Sequence, residues 1–140
     1  MALDEIKPLY GADRSNTWVW DGKEFKPKYG ADRSNTWIWD GKEFKPKFGA
    51  DRSNTWVVDG QEFKPKFGAD RSNTWIWDGK ELKPKYGADR SNTWVIIRER
   101  GEIGPKGGSR RDGWVFGKTP IEVIAGALIV LELFTKSKGW

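Results

Sequence analysis

Apolar and polar positions alternate in short bursts along most of the chain, two bursts to a unit. In TWVWDGKEF (17–25), Trp18 and Trp20 alternate with Thr17 and Val19, and Phe25 follows after a polar break. A period of two over so few residues is the mark of a strand with one buried face. Asp21-Gly22 stands in the break, and that dipeptide predicts a two-residue hairpin turn. The signal recurs as Asp40-Gly41, Asp59-Gly60 and Asp78-Gly79. Such a turn would set Trp20 against Lys23, Val19 against Glu24 and Trp18 against Phe25. Trp18, Trp20 and Phe25 would then share one face, continued by Pro27 and Tyr29. Thr17, Val19, Glu24, Lys26 and Lys28 would take the other, giving a sheet with one apolar and one wet side.

The bursts belong to an internal repeat. ADRSNTW occurs at 12–18, 31–37, 50–56, 69–75 and 88–94, every 19 residues. KPK followed by an aromatic residue and Gly fills 26–30, 45–49, 64–68 and 83–87, and EIKPLYG opens the series at Glu5. A worn sixth copy, EIGPKGGSRRDGW, runs from Glu102 to Trp114, as expected where an array must be closed. Gly30, Ser34 and Asn35 make GADRSN a turn-forming link between hairpins. The six hairpin repeats over 5–117 therefore predict about twelve short antiparallel strands in up-and-down order. Pro8, Pro27, Pro46, Pro65, Pro84 and Pro105 fall where a strand should donate hydrogen bonds. Either the missing N–H points away from the ladder, or the sheet opens there.

The end of the chain breaks the pattern. Thr119 and Pro120 resemble an N-cap and a first helical residue, and a helix is expected over 119–135. Ile121, Val123, Ile124, Leu128, Leu131 and Phe134 are among apolar residues on every side of it. A helix apolar all round must be buried all round. Twelve strands about 4.8 Å apart and tilted by about 40° enclose a cylinder of roughly 12 Å radius, with room for about one helix. The fold class expected is mainly β: a single domain over 1–140, with the hairpins closing into a barrel around the hydrophobic C-terminal helix. Two alternatives stay open, a helix that plugs one end and a helix that pairs with a second copy of the chain.

The words KPKYGA and SNTW, with the closing Pro120–Ala125 stretch PIEVIA, resemble those of small, uncharacterised bacterial tandem-repeat proteins of accessory or mobile genes. That resemblance covers nearly the whole chain and implies no activity. In architecture alone, twelve strands around a hydrophobic helix is similar to the barrel of the tubby and phospholipid-scramblase group. No motif of that group is present to carry its phosphoinositide binding over.

Composition narrows the chemistry. The chain has no Cys and no His, which removes thiol chemistry and the commonest general base and metal ligand. A net charge of +5 favours weak attraction to polyanions, and serves equally as a solubilising charge. The apolar run at 121–134 contains Glu122 and Glu132 and is too short to span a bilayer; no signal peptide is visible, so a soluble cytoplasmic protein is expected. Lys26, Lys45, Lys64 and Lys83, with Lys28, Lys47, Lys66 and Lys85, would form two bands on the outer wall that could bind phosphates, although Glu24, Glu43, Glu62 and Glu81 on the same face dilute their field. Arg110 and Arg111, in a Gly-rich loop from Lys106, could cradle an anion; the same loop reads as a worn repeat closing the barrel. The pairs Asp13-Arg14, Asp32-Arg33, Asp51-Arg52, Asp70-Arg71 and Asp89-Arg90 would gather at one rim, as structural turns with local Asp–Arg pairing or as a binding site. An arginine in each loop opposes calcium, and no motif asks for a cofactor. Five equivalent copies give no unique catalytic pocket, so an enzyme is not expected. The function expected is a non-enzymatic scaffold or interaction protein with a protein partner or self-association. The alternative is a salt-dependent binder of nucleic acid or phospholipid headgroups.

Overall fold

The computed structural model describes residues 3–133, without the side chain of Arg110. Twelve antiparallel strands form a closed barrel: β1 (Asp4–Pro8), β2 (Trp18–Trp20), β3 (Glu24–Pro27), β4 (Trp37–Trp39), β5 (Glu43–Pro46), β6 (Trp56–Asp59), β7 (Glu62–Pro65), β8 (Trp75–Trp77), β9 (Glu81–Pro84), β10 (Trp94–Ile97), β11 (Glu102–Pro105) and β12 (Trp114–Val115). Each strand pairs with its neighbours in the chain, and β1 pairs with β12.

The hairpin turn sits one residue later than predicted. The Asp21 N–H donates to the Glu24 carbonyl at 3.2 Å, so Gly22 and Lys23 are the central residues. The pairs become Trp18 with Pro27, Val19 with Lys26 and Trp20 with Phe25. Only the first central residue has positive φ, Gly22 at 98°, as a type II′ turn requires. Asp21 stands before the turn and caps it: its Oδ1 accepts from the Lys23 and Glu24 N–H groups at 2.9 and 2.7 Å. That side-chain bond favours the later position over an Asp-Gly turn. The opposing partner moves by two residues, an even step, so the side chains within the strands keep their predicted faces. Trp18 and Trp20 pack inward with Phe25, and Lys26 lies outside.

The prolines are satisfied in both of the ways anticipated. Each ends its strand. Bonds from Asp21 to Glu24 and from Lys28 N–H to the Thr17 carbonyl (2.9 Å) mark the hydrogen-bonded pairs of the hairpin. By alternation, Trp18 and Pro27 form a non-bonded pair, and the proline nitrogen faces the next hairpin. On that side the ladder has already ended at Phe25 and Trp37. The chain turns away after Pro27, so Tyr29 does not continue the inner face as expected; it is exposed at the rim.

Closure uses the same register. Lys7 pairs with Val115 and Pro8 with Trp114, matching Lys26 with Val19 and Pro27 with Trp18. The sixth hairpin is thus assembled from the two ends of the strand array and has no covalent turn.

After β12 the chain rounds the tight-turn end and enters the barrel. Helix α1 (Ile121–Ala125) continues as a π-helical turn over Gly126–Val130. Val123, Ile124 and Ala127 have no exposed surface and join Ile6, Phe25, Phe44, Phe63, Leu82 and Ile103 in one core. The helix is therefore inside the barrel. It is shorter than the 119–135 expected, and 134–135 lie outside the described residues. Pro120, not Thr119, holds the N-cap place, with ψ at 146°; the Thr119 hydroxyl is buried without a partner. Gly126 lets the backbone approach the wall: a Cβ there would meet the Phe44 ring at 2.5 Å. Phe44 is itself fixed by stacking on Trp37, with centroids 5.0 Å apart, a contact worth about 1 kcal/mol beyond burial.

Candidate functional site

The outer wall and the long-loop rim carry most of the polar groups that the sequence singles out, and a third surface opens at the other end of the barrel. On the outer wall, Lys26, Lys45, Lys64 and Lys83 each reach the glutamate two residues earlier, at 3.0 to 3.3 Å. This follows from the strand period, which puts positions two apart on one face. A second lysine reaches the same glutamate from one unit further on. Lys47 bonds Glu24, Lys66 bonds Glu43 at 2.5 Å, Lys85 bonds Glu62 and Lys106 bonds Glu81 at 2.8 Å. Glu5 holds Lys7 and Lys28 in the same way. The wall thus carries five Lys–Glu–Lys triads, each spanning neighbouring strands. Hydrogen bonds from Lys47 and then Lys26 hold the Glu24 carboxyl below its ordinary value, and Glu43, Glu62 and Glu81 are lowered by the same kind of bonds. Lys26, Lys45, Lys64 and Lys83 are raised, chiefly by their bond to glutamate. A phosphate arriving here would compete with bonds already made.

At the long-loop rim, the aspartates turn to their own loops. Asp13 Oδ1 accepts from the Ser15 N–H and hydroxyl at 2.8 and 2.6 Å. Asn16 Oδ1 accepts from the Asp13 N–H, and the buried Thr17 hydroxyl donates to the Asp13 carbonyl. Asp32, Asp51, Asp70 and Asp89 repeat the serine bond. These bonds, from the serine hydroxyl first, lower the carboxyls of Asp13, Asp32, Asp51 and Asp70. The local Asp–Arg pairing expected from the sequence is replaced by this closed turn, because the serine donors are two residues away and already oriented. The arginines leave the loop and lie over the aromatic ring of the next unit. Arg14 covers Tyr29 at 3.9 Å, Arg33 covers Phe48, Arg52 covers Phe67 and Arg71 covers Tyr86. Arg90 stands where the sixth unit offers Gly107 in place of a ring. The rings are about two-fifths exposed, so each stack is worth roughly 0.5–1 kcal/mol.

The worn sixth loop keeps the turn by other means. The Ser109 N–H donates to the Asp112 carboxylate at 3.3 Å, over a short 3₁₀ turn at Arg110–Asp112. Arg111 lines a recess of about 470 Å³ with Trp18, Asp112, Trp114 and Glu132. The side chain of Arg110 lies outside the described residues.

The third surface was not anticipated. At the tight-turn end, a cleft of about 420 Å³ opens between the helix and the wall of β6 to β9. Val58, Phe63, Trp77, Leu82, Ile121 and Ala125 form its apolar lining, and Gln61, Arg98, Lys118 and Glu122 stand at its mouth. A signal existed in the sequence: Val58 breaks a run of tryptophans at its repeat position.

Among the described residues, no three carboxylates converge as a metal site, and no helix is long and apolar enough to cross a membrane. No protein-family model matches the chain, and no curated protein or solved structure matches it.

Proposed function

We propose that the chain is a non-enzymatic repeat scaffold whose hairpins build a rigid shell and whose long-loop rim meets a partner protein. One observation carries this reading: the polar groups of the repeated units are spent on one another. The wall lysines bond wall glutamates, and the loop aspartates bond loop serines. Beside the turn lysines Lys23, Lys42 and Lys80, the units leave exposed a course of arginine-covered aromatic rings, Tyr29, Phe48, Phe67 and Tyr86. Aromatic residues and arginine are the types enriched where proteins meet.

The competing reading, binding of nucleic acid or phospholipid headgroups by the lysine band, makes a different prediction. Retention on heparin, single-stranded DNA and phosphoinositide vesicles is measured from about 50 to about 300 mM salt. The comparison is a variant with Lys26, Lys45, Lys64 and Lys83 changed to Gln. The scaffold reading expects both proteins to wash through together before physiological salt. Retention of the wild type alone at that salt would replace it with the anion-binding reading.

A further inference from the structure

The four complete units at 17–92 differ at only five repeat positions. Two are conservative exchanges: Val or Ile at 19, 38, 57 and 76, and Tyr or Phe at 29, 48, 67 and 86. The other three are single departures. Val58 stands where the other units have Trp20, Trp39 and Trp77. Gln61 stands where they have Lys23, Lys42 and Lys80. Leu82 stands where they have Phe25, Phe44 and Phe63. Val58 and Gln61 come from one unit and Leu82 from the next, yet all three line the tight-turn cleft. Two of the three remove an aromatic ring from the interior, and the third removes a charge from the mouth.

Smaller residues could merely make room for the helix. The helix would then fill what they vacate. At Leu82 the space is filled, since that side chain has no exposed surface; beside Val58 it is not, and about 420 Å³ remains against the helix residues Ile121 and Ala125, within the range of small-molecule sites. The mouth is also electrically uneven. Arg98 and Lys118 have no ion-pair partner among the described residues, whereas the Glu62 carboxylate is held by Lys64 and Lys85. Of the two carboxylates among the described lining residues, Glu122 is the one that no lysine holds, and the Asp4 carboxylate is engaged by the Lys118 backbone N–H at 3.2 Å.

We infer that this cleft is a binding site for a small amphipathic anion, with an apolar ring or short chain seated against Val58 and Trp77, over the buried Leu82, and its anionic group between Arg98 and Lys118. The site is independent of the scaffold reading, since it lies at the opposite end of the barrel from the long-loop rim. A charge-assisted contact at the exposed mouth adds selectivity for the anion over a neutral molecule of the same shape.

The test titrates the intact chain with anilinonaphthalene sulfonate and with its neutral counterpart, phenylnaphthylamine, following dye fluorescence. One saturable site is expected, with the sulfonate bound at least about tenfold tighter than the neutral dye. Val58→Trp puts back the residue that three other units carry and should weaken binding about tenfold or more. Leu82→Phe, a second return to the repeat, should do the same and serves if the first variant unfolds. Arg98→Gln and Lys118→Gln should each weaken the sulfonate several-fold and leave the neutral dye unchanged. Undiminished binding by both filled variants would place the dye elsewhere and overturn the inference. So would equal affinity for the two dyes, or no saturable binding.

Discussion

Hairpins β4–β5 and β6–β7 are nearly identical in sequence and meet the same helix, yet they do opposite things. In the first, Trp39 is partly buried against the core and Phe44 is pressed against Gly126 so closely that one added carbon would overlap it. In the second, Val58 takes the tryptophan's place and the wall stands off the helix. Their outer faces are the same: Glu43 and Glu62 each hold two lysines. A repeat can close a barrel with equal units, but a single helix cannot meet equal walls equally. The rings against the helix are where the two walls had to diverge, and the Glu–Lys outer wall is where they could stay alike.

The largest effect should come from the contact side. Phe44→Ala should cost about 3–5 kcal/mol in urea unfolding, the usual range for a buried ring. Phe63→Ala should cost at least about 1 kcal/mol less, because Phe63 already borders an open cleft and leaves fewer contacts behind. Equal losses would erase the distinction between the two walls.

Exchanging the tight-turn residues should come next. Trp39→Val should open a matching cavity and cost about 2–4 kcal/mol, whereas Val58→Trp should fall within about 1 kcal/mol of the wild type. The midpoints of urea unfolding with unchanged slopes would show this.

The smallest effect concerns the shared exterior. The carboxyls of Glu43 and Glu62 are lowered in the folded chain by their lysines, so the folded state takes up protons less readily than the unfolded one. Their contribution to stability is complete above the ordinary glutamate range and drains away as pH falls through the lowered folded values. Thermal midpoints followed from neutral to acid pH should fall less steeply in Glu43→Gln and in Glu62→Gln than in the wild type, and equally in the two. A difference between them would mean that the outer faces are not equivalent.

Much of this architecture was legible in the residues. The strand count followed from the repeat, and the interior helix from a segment with no polar side. The facing of Trp18, Trp20 and Phe25 survived a misplaced turn because the slip moved partners by two. What escaped were features set by side chains rather than by pattern. Asp21 moves the turn by capping it, a choice that Asp-Gly alone does not reveal. Arg14 reaches a ring fifteen positions on, across a unit boundary, while its neighbour Asp13 is claimed by Ser15. The wall lysines fall on the predicted face, and the register then binds each to glutamate. The cleft needed two facts together: that Val58, Gln61 and Leu82 break the repeat, and that the helix leaves that wall unfilled.

The central claim is that the C-terminal helix threads the barrel and touches Phe44 at Gly126. A double-mutant cycle with Gly126→Ala and Phe44→Leu tests it most directly, using urea unfolding of the four proteins. With the phenyl ring in place, the added methyl should cost about 1–3 kcal/mol. With leucine there, most of that cost should vanish, giving a coupling of at least about 1 kcal/mol. Additive losses would mean that the two residues do not touch and would contradict a helix lodged inside the shell.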